Sequence, residues 1–265
     1  MDEHEDEQVI RGTFSQVATW HRTPLFVPAV GSELRTDDSE WRYQPLSQMA
    51  KSGLDVAAEH LYAVRVLIDA GQLFPFGHRA LIRTALLGAT YAVWLLDPSD
   101  PYERARRHRV FVEMVYRRHL QYLEELLTLA TDEDSQEWRN TCTVQRHLSS
   151  RKDELDALRA SKGEKARWED TSAIAEAARA TFGTQQNVDE LVKEALLAWR
   201  IGSGAAHGLV WSVLGQPGTS AAAGPDAEGM AVFHAEGTFS AIANSYMLVY
   251  WMTTYGWGLL RRRGL

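Results

Sequence analysis

Apolar residues recur at steps of three and four over long stretches of this chain, which is the spacing of one face of an α-helix. The clearest series lies in residues 46–74, where Leu54, Ala57, Leu61 and Val64 fall on a single stripe. Such a stripe must be buried against neighbouring elements. This stretch therefore predicts the first long helix of a helical bundle.

Residues 80–96 are apolar on nearly every side, and Arg83 is the only charged residue in the run. A helix that is apolar all round lies in the centre of a bundle, surrounded by other helices. Pro75 and Gly77 separate it from the preceding helix. A charge in such a helix needs a partner or a water-filled cavity. Arg83 therefore either faces the same pocket as Arg200 or extends along the helix to solvent.

Three further helix starts are predicted from capping patterns. The sequence Asp100-Pro-Tyr-Glu103 combines a capping residue, a first-turn proline and an acid at capping-box spacing. Residues 170–172 and 187–190 repeat the capping signal, and the second of these leads into the residues around Arg200. Residues 239–260 lack charges, but their polar, Tyr and Trp side chains favour a buried helix over a membrane contact.

Two stretches depart from the bundle pattern. Residues 1–45 join an acidic tail to prolines and aromatic residues, which predicts an irregular segment that wraps the surface. Residues 131–168 are polar and predict an exposed helical insertion.

Residues 215–229 predict a Gly- and Pro-rich loop, followed by a short strand. We therefore expect an all-α protein, an antiparallel bundle of long and short helices in which residues 46–265 form a single domain.

Composition narrows the function. A 265-residue chain with 45% hydrophobic residues and nine Trp can bury a sizeable core. Its formal net charge of −7 argues against general polyanion binding, so nucleic acid would need a local basic patch. One cysteine, Cys142, excludes an internal disulfide and a Cys-based metal site. The acidic N-terminus lacks the apolar core of a signal peptide, and we expect a cytoplasmic protein.

Residues 198–208 bring together the side chains with the most reactive potential. If this segment is helical, Arg200, Ser203 and His207 share one face. A guanidinium and an imidazole that face one cavity can bind and cleave a phosphodiester, and the three residues are the candidate catalytic set. In the alternative, the small residues 202–206 let another helix cross closely, while Arg200 and His207 satisfy each other's surroundings.

The Arg200 to His207 spacing resembles the signature of the HEPN superfamily, an Arg and a His separated by four to six residues; here six residues lie between them. The Gly-Ser-Gly-Ala-Ala-His-Gly form is also similar to helical actinobacterial proteins of unknown function. The resemblance implies a helical bundle, metal-independent RNA cleavage of a toxin or anti-phage defence type, and a site composed across a homodimer. It also implies a protein partner or antitoxin. The chain departs from the pattern at Ile201, where many active members carry a polar residue.

A basic cluster in one predicted helix supplies the candidate RNA contact. Its six arginines are Arg104, Arg106, Arg107, Arg109, Arg117 and Arg118. They are candidates for binding the phosphate backbone. The alternative is a solvated face in which Glu113 bridges Arg109 and Arg117 at four-residue spacing.

The motifs of cofactor and metal sites are missing from the sequence. No P-loop occurs, and the sequence contains none of the motifs H-E-x-x-H, E-x-x-H and H-x-x-x-H, the helical spacings of zinc and di-iron sites. We therefore expect neither a cofactor nor a metal. Two hypotheses remain: an RNA-binding protein or endoribonuclease of the HEPN type, and a non-catalytic helical protein-interaction module in which Arg200 and His207 are structural.

Overall fold

The computed structural model describes residues 2–129, 132 and 135–265. This part of the chain is predominantly α-helical, which confirms the predicted all-α bundle. In chain order the helices are α1 (Glu3–Gly12), α2 (Phe14–His21), α3 (Glu33–Asp37), α4 (Leu46–Asp69), α5 (Gly77–Leu96), α6 (Pro101–Leu129), α7 (Gln136–Ser161), α8 (Asp170–Phe182), α9 (Val188–Ala206) and α10 (Ala243–Gly264). Short 3-10 helices lie at Asp38–Trp41 and Val210–Ser212. Strands β1 (Thr219–Ala221) and β2 (Phe233–Ala235) form an antiparallel hairpin with Ser220 opposite His234.

Helix α5 is the centre of the bundle and packs against α4, α8, α9 and α10. Gly53 and Gly88 bring α4 and α5 together at backbone distance, since a Cβ on Gly88 would lie 2.4 Å from the Gly53 carbonyl oxygen. Among the described helices, α5 alone is long and apolar enough to cross a membrane, and 67% of its apolar window is buried. The stretch at residues 239–260 does not meet that test, and α10 lies in the core.

The N-terminal 45 residues contain helices α1, α2 and α3, whereas residues 22–32 and 42–45 form the irregular structure that was predicted throughout. Asp2 and Glu5 form a capping box at the start of α1, and acids in the first turn favour the helix dipole. Ile10, Val17 and Trp20 are buried, with α1 against α10 and α2 against α4. The prediction was wrong for α1, α2 and α3 because the acidic composition concealed a short apolar series at helical spacing.

The polar stretch after α6 forms a helix that packs along it. Leu155 of α7 is buried with Trp41, Val112 and Tyr116 in a small second core, and Leu148 lies against it. The Trp41 indole N–H donates a 3.1 Å hydrogen bond to the Tyr116 hydroxyl. The predicted helical insertion is therefore present over Gln136–Ser161, while the prediction for residues 131, 133 and 134 lies outside the described part of the chain.

Candidate functional site

Helix α9 carries the three predicted catalytic residues on one face, as their spacing requires. Arg200 and Ser203 lie within the helix, and His207 is the first residue after it. The His207 backbone N–H still bonds the Ser203 carbonyl at 3.1 Å, so the helical path continues to the imidazole. Gly208, with φ of +68°, then ends the helix in the left-handed conformation that glycine adopts readily.

Arg200 and His207 are both exposed to solvent. Among the described residues, neither side chain has a hydrogen-bond or ion-pair partner. The Arg200 guanidinium lies 5.9 Å from the centre of the Trp199 ring. The alternative in which these two side chains form a mutually satisfied internal pair does not fit this arrangement. Both groups are instead free to meet a ligand or a second protein surface.

Ser203 is held differently from its two neighbours. Its hydroxyl donates to the Trp199 carbonyl at 2.8 Å, the local bond that a serine makes within a helix. The same oxygen accepts a 2.7 Å hydrogen bond from Nε of Arg83, which reaches across from α5. Arg83 therefore contacts the motif through Ser203, but neither Arg83 nor Arg200 lines the pocket described below, so a pocket shared by the two arginines stays a prediction. A second guanidinium therefore stands beside the face that carries Arg200.

Close helix packing explains the small residues of the motif. A Cβ on Gly202 would lie 2.5 Å from the Arg83 Cβ and 2.8 Å from the Arg79 carbonyl oxygen, so α5 crosses α9 here. A Cβ on Gly204 would lie 2.7 Å from the Trp211 ring. Glycine is required at both positions by space. The predicted close helix crossing is confirmed at Gly202, whereas Gly204 is crowded by the 3-10 helix Val210–Ser212 that follows the motif. Neither contact accounts for Arg200 and His207.

Two arginines of the predicted RNA-binding cluster are buried. Arg104 is only 2% exposed and pairs with Asp37 at 2.7 Å and with Glu33 at 3.1 Å. Burial raises the pKa of Asp37, although its hydrogen bond with Arg104 acts in the opposite direction. Arg109 is buried as well, with its Nε 3.1 Å from a Glu164 carboxylate oxygen. The prediction needs correction here, because neither guanidinium can reach a phosphate.

The other four arginines of the cluster are paired with acids nearer the surface. Arg106 and Arg107 share Glu103 at 2.6 and 2.9 Å, and these bonds, that from Arg106 first, lower the Glu103 pKa to about 2. Arg117 lies 3.5 Å from Glu113, but the predicted bridge is only half present because Arg109 pairs with Glu164 instead. Arg118 lies 3.8 Å from Asp170. Acids therefore offset the positive charge of α6.

A pocket of about 280 Å³ lies on the other side of α9. Arg79 of α5 lines it, together with Ile201 and Leu248. The Arg79 side chain is 7% exposed, its Nε has no hydrogen-bond partner, and its Nη2 donates to Gln216 at 3.4 Å. Burial lowers the Arg79 pKa. The sequence patterns missed this residue, whose one available signal is its position one turn before Arg83.

Comparison of this chain with protein-family models, with characterised proteins and with solved structures finds no match.

Proposed function

We propose that this chain is a HEPN-like RNA-binding protein or metal-independent endoribonuclease that works as a homodimer. The observation that carries the proposal is the pair Arg200 and His207, which project from one face of α9, exposed and without partners among the described residues. An imidazole titrates near neutral pH, and a guanidinium keeps its charge. Exposed together on one helix, they form a phosphate-binding surface with a proton-transfer group.

The chemistry requires two proton transfers and one stabilised charge. The 2′-oxygen of the ribose attacks phosphorus while a base takes its proton, and the bond to the 5′-oxygen breaks as an acid protonates that oxygen. The guanidinium stabilises the negative charge that builds up on the phosphoryl oxygens. One His207 cannot easily be base and acid at once. A second copy across a two-fold axis supplies the other imidazole.

Apolar side chains next to the motif support the dimer. Leu209, Val210 and Trp211 follow His207 after one intervening residue, and all three are exposed, Trp211 by 52%. Exposed apolar residues in a group are typical of surfaces that another protein covers. A two-fold interface over this segment would bury them and bring two Arg200 to His207 faces close to each other.

A second candidate is a non-catalytic helical module that binds a protein partner. The pairing of the α6 arginines favours it, because the acids leave little unpaired positive charge to guide RNA towards the motif. In this form Arg200 and His207 are surface contacts of the partner, since their exposure does not fit the structural role first considered. The exposed apolar residues 209–211 fit both candidate functions, because either a second copy of this chain or a different protein could cover them.

RNA cleavage in metal-free buffer tests the proposal. We expect His207→Ala to lower cleavage about 100-fold or more, the usual contribution of a general acid or base, with an unchanged melting temperature because the side chain is exposed. Arg200→Ala should weaken both binding and cleavage. His234→Ala and Arg261→Ala are matched controls, because both residues are also exposed.

Three outcomes separate the candidates. Cleavage that depends on His207 supports the nuclease, and growth arrest on expression that His207→Ala relieves supports a toxin. Binding of RNA without cleavage would leave the RNA-binding form only. Wild-type protein that neither binds nor cleaves a varied RNA panel would overturn the proposal and favour the interaction module.

A further inference from the structure

Arg79 is a buried cation that forms no ion pair with any of the described acids. It is nearly as buried as Arg104, yet Arg104 has two carboxylates within 3.1 Å, and none of the described carboxylates forms an ion pair with Arg79. Its only hydrogen bond among the described residues is the long one to Gln216. A buried charge is costly unless it is paired. An anion bound beside Arg79 would offset the cost of removing this guanidinium from water.

The pocket that Arg79 lines has the shape and chemistry to admit such an anion. Ile82, Leu197, Ile201 and Leu248 line it with apolar surface, in a volume of about 280 Å³. This volume is close to the lower end of the roughly 300–1,000 Å³ of small-molecule sites, so a small ligand fits. Small-molecule sites are commonly apolar clefts with a few polar groups that fix the ligand's orientation. A cation beside apolar surface matches that description.

We propose that this pocket binds a small organic monocarboxylate with an apolar body, whose carboxylate pairs with Arg79 and whose body lies against Ile201 and Leu248. The planar guanidinium matches a carboxylate through two parallel hydrogen bonds. Glu194 also lines the pocket and is exposed. Its negative charge disfavours ligands with several negative charges, such as nucleotides. The site therefore selects one negative charge joined to an apolar group.

This site is separate from the proposed RNA-directed face. Its α9 residues include Leu197 and Ile201, which point to a different side of the helix from Arg200 and His207. The inference stands without the nuclease. It also gives Ile201 a role, because the residue at which the chain departs from the HEPN pattern is part of the apolar wall.

Calorimetric titration with four monocarboxylates tests the inference: butanoate, hexanoate, benzoate and phenylacetate. We expect at least one to bind saturably at one site per chain. The matching primary amide should bind at least about tenfold more weakly, because it lacks the charge that pairs with the guanidinium. Inorganic phosphate should not compete, because it has no apolar body. Absence of saturable binding by all four acids would overturn the inference.

Two pocket variants and one control variant locate the bound acid. Arg79→Gln should abolish binding, whereas Arg83→Gln, one turn along α5 and outside the pocket lining, should retain it. Ala198→Phe fills the pocket and keeps the charge, and it should also abolish binding while circular dichroism confirms the helical fold. Ala198→Phe tests the location of the acid if Arg79→Gln does not fold. Undiminished affinity in either folded pocket variant would place the acid elsewhere and overturn the inference.

Discussion

Nε of Arg83 donates a 2.7 Å hydrogen bond to the hydroxyl of Ser203, and this bond joins α5 to α9 beside the motif. The hydroxyl proton is directed at the Trp199 carbonyl, 2.8 Å away. A serine whose proton is held by a backbone carbonyl has no base to activate it as a nucleophile. Ser203 was predicted as part of the catalytic set, and its contacts favour a positioning role between the two helices.

Ser203→Ala should therefore lower the free energy of unfolding by about 1 kcal/mol, the usual net value of one hydrogen bond, and somewhat more because Arg83 loses an acceptor. Urea denaturation measures the change. Ser39→Ala is the matched control, because the Ser39 hydroxyl is exposed and bonds only a nearby carbonyl. Equal losses in the two variants would contradict a special role for the α5–α9 bond.

Gly202→Ala should destabilise the protein by about 1–3 kcal/mol, because the added methyl group meets the Arg83 side chain and the Arg79 carbonyl oxygen. Gly12→Ala is the matched control. A Cβ on Gly12, at the end of α1, has no atom within 4 Å, and replacement of a helical glycine gains about 0.5–1 kcal/mol. Thermal unfolding should thus show shifts of opposite sign in the two variants, and a stabilised Gly202→Ala protein would argue against the tight crossing.

Arg104→Ala should lower the free energy of unfolding by about 3–5 kcal/mol, because it leaves the buried Asp37 carboxylate without its partner. Arg117→Ala removes a comparable guanidinium from the same helix, but that side chain is half exposed and its ion pair should contribute less than about 1 kcal/mol. Guanidinium chloride unfolding of both proteins checks the comparison. Similar losses would mean that burial does not separate the two arginines as the structure indicates.

The buried His108 should make stability depend on pH. Its Nε2 lies 2.7 Å from the Gln44 carbonyl, so this nitrogen carries the proton, and Nδ1 has no partner. Burial lowers the His108 pKa from 6.5 to about 4. Between pH 6.5 and about pH 4, His108 is therefore protonated in the unfolded chain but neutral in the folded chain. The stability that the neutral His108 gives the fold is fully present above pH 6.5 and is lost as the pH falls through this range.

The loss should reach about 3 kcal/mol across that window, at 1.36 kcal/mol for each unit of pKa. Other titrating groups cancel when wild type is compared with His108→Gln, whose side chain does not titrate. We expect the stability difference between these two proteins to shrink from pH 7 to pH 4. A constant difference for His108→Gln would contradict the prediction.

Arg200→Ala should reduce the salt dependence of RNA binding under the proposed function. Each contact between a cation and single-stranded RNA contributes about 0.7 to the slope of log affinity against log salt, so a dimer with two such contacts loses about 1.4. Arg106→Ala should leave the slope nearly unchanged, because Glu103 already pairs with that arginine. Fluorescence anisotropy at several salt concentrations measures both slopes, and the reverse order would place the RNA on α6.

Local pattern predicted most of the fold but not which polar atoms meet. Apolar spacing correctly located α4 and α5, and Asp100 does accept the Tyr102 N–H at the start of α6. Glu103 bonds Arg106 and Arg107 instead of completing the expected capping box. A capping pattern considers only residues that are close in sequence, whereas the Glu103 carboxylate forms stronger, charge-assisted hydrogen bonds with guanidinium groups than with a backbone N–H.

The candidate site was predicted only where it depends on one helix. The shared face of Arg200 and His207 follows from helical periodicity, and the structure shows it. The pairing of Arg109 with Glu164 joins residues 55 positions apart, and no local pattern reports such a contact. The isolation of Arg79 is equally invisible in the sequence, because it depends on which helices surround α5.

The contact between the first helix and the start of the last one also constrains the order of folding. Glu3 accepts hydrogen bonds from the backbone N–H groups of Phe239 and Ser240, across 236 and 237 residues of chain. During synthesis α1 emerges well before the residues 239–240 that it bonds and the helix α10 that it packs against. Ile10 of α1 stays uncovered for that interval, and contacts of such long range slow folding. On the ribosome, α1 must therefore wait for almost the whole of the 265-residue sequence before it can dock.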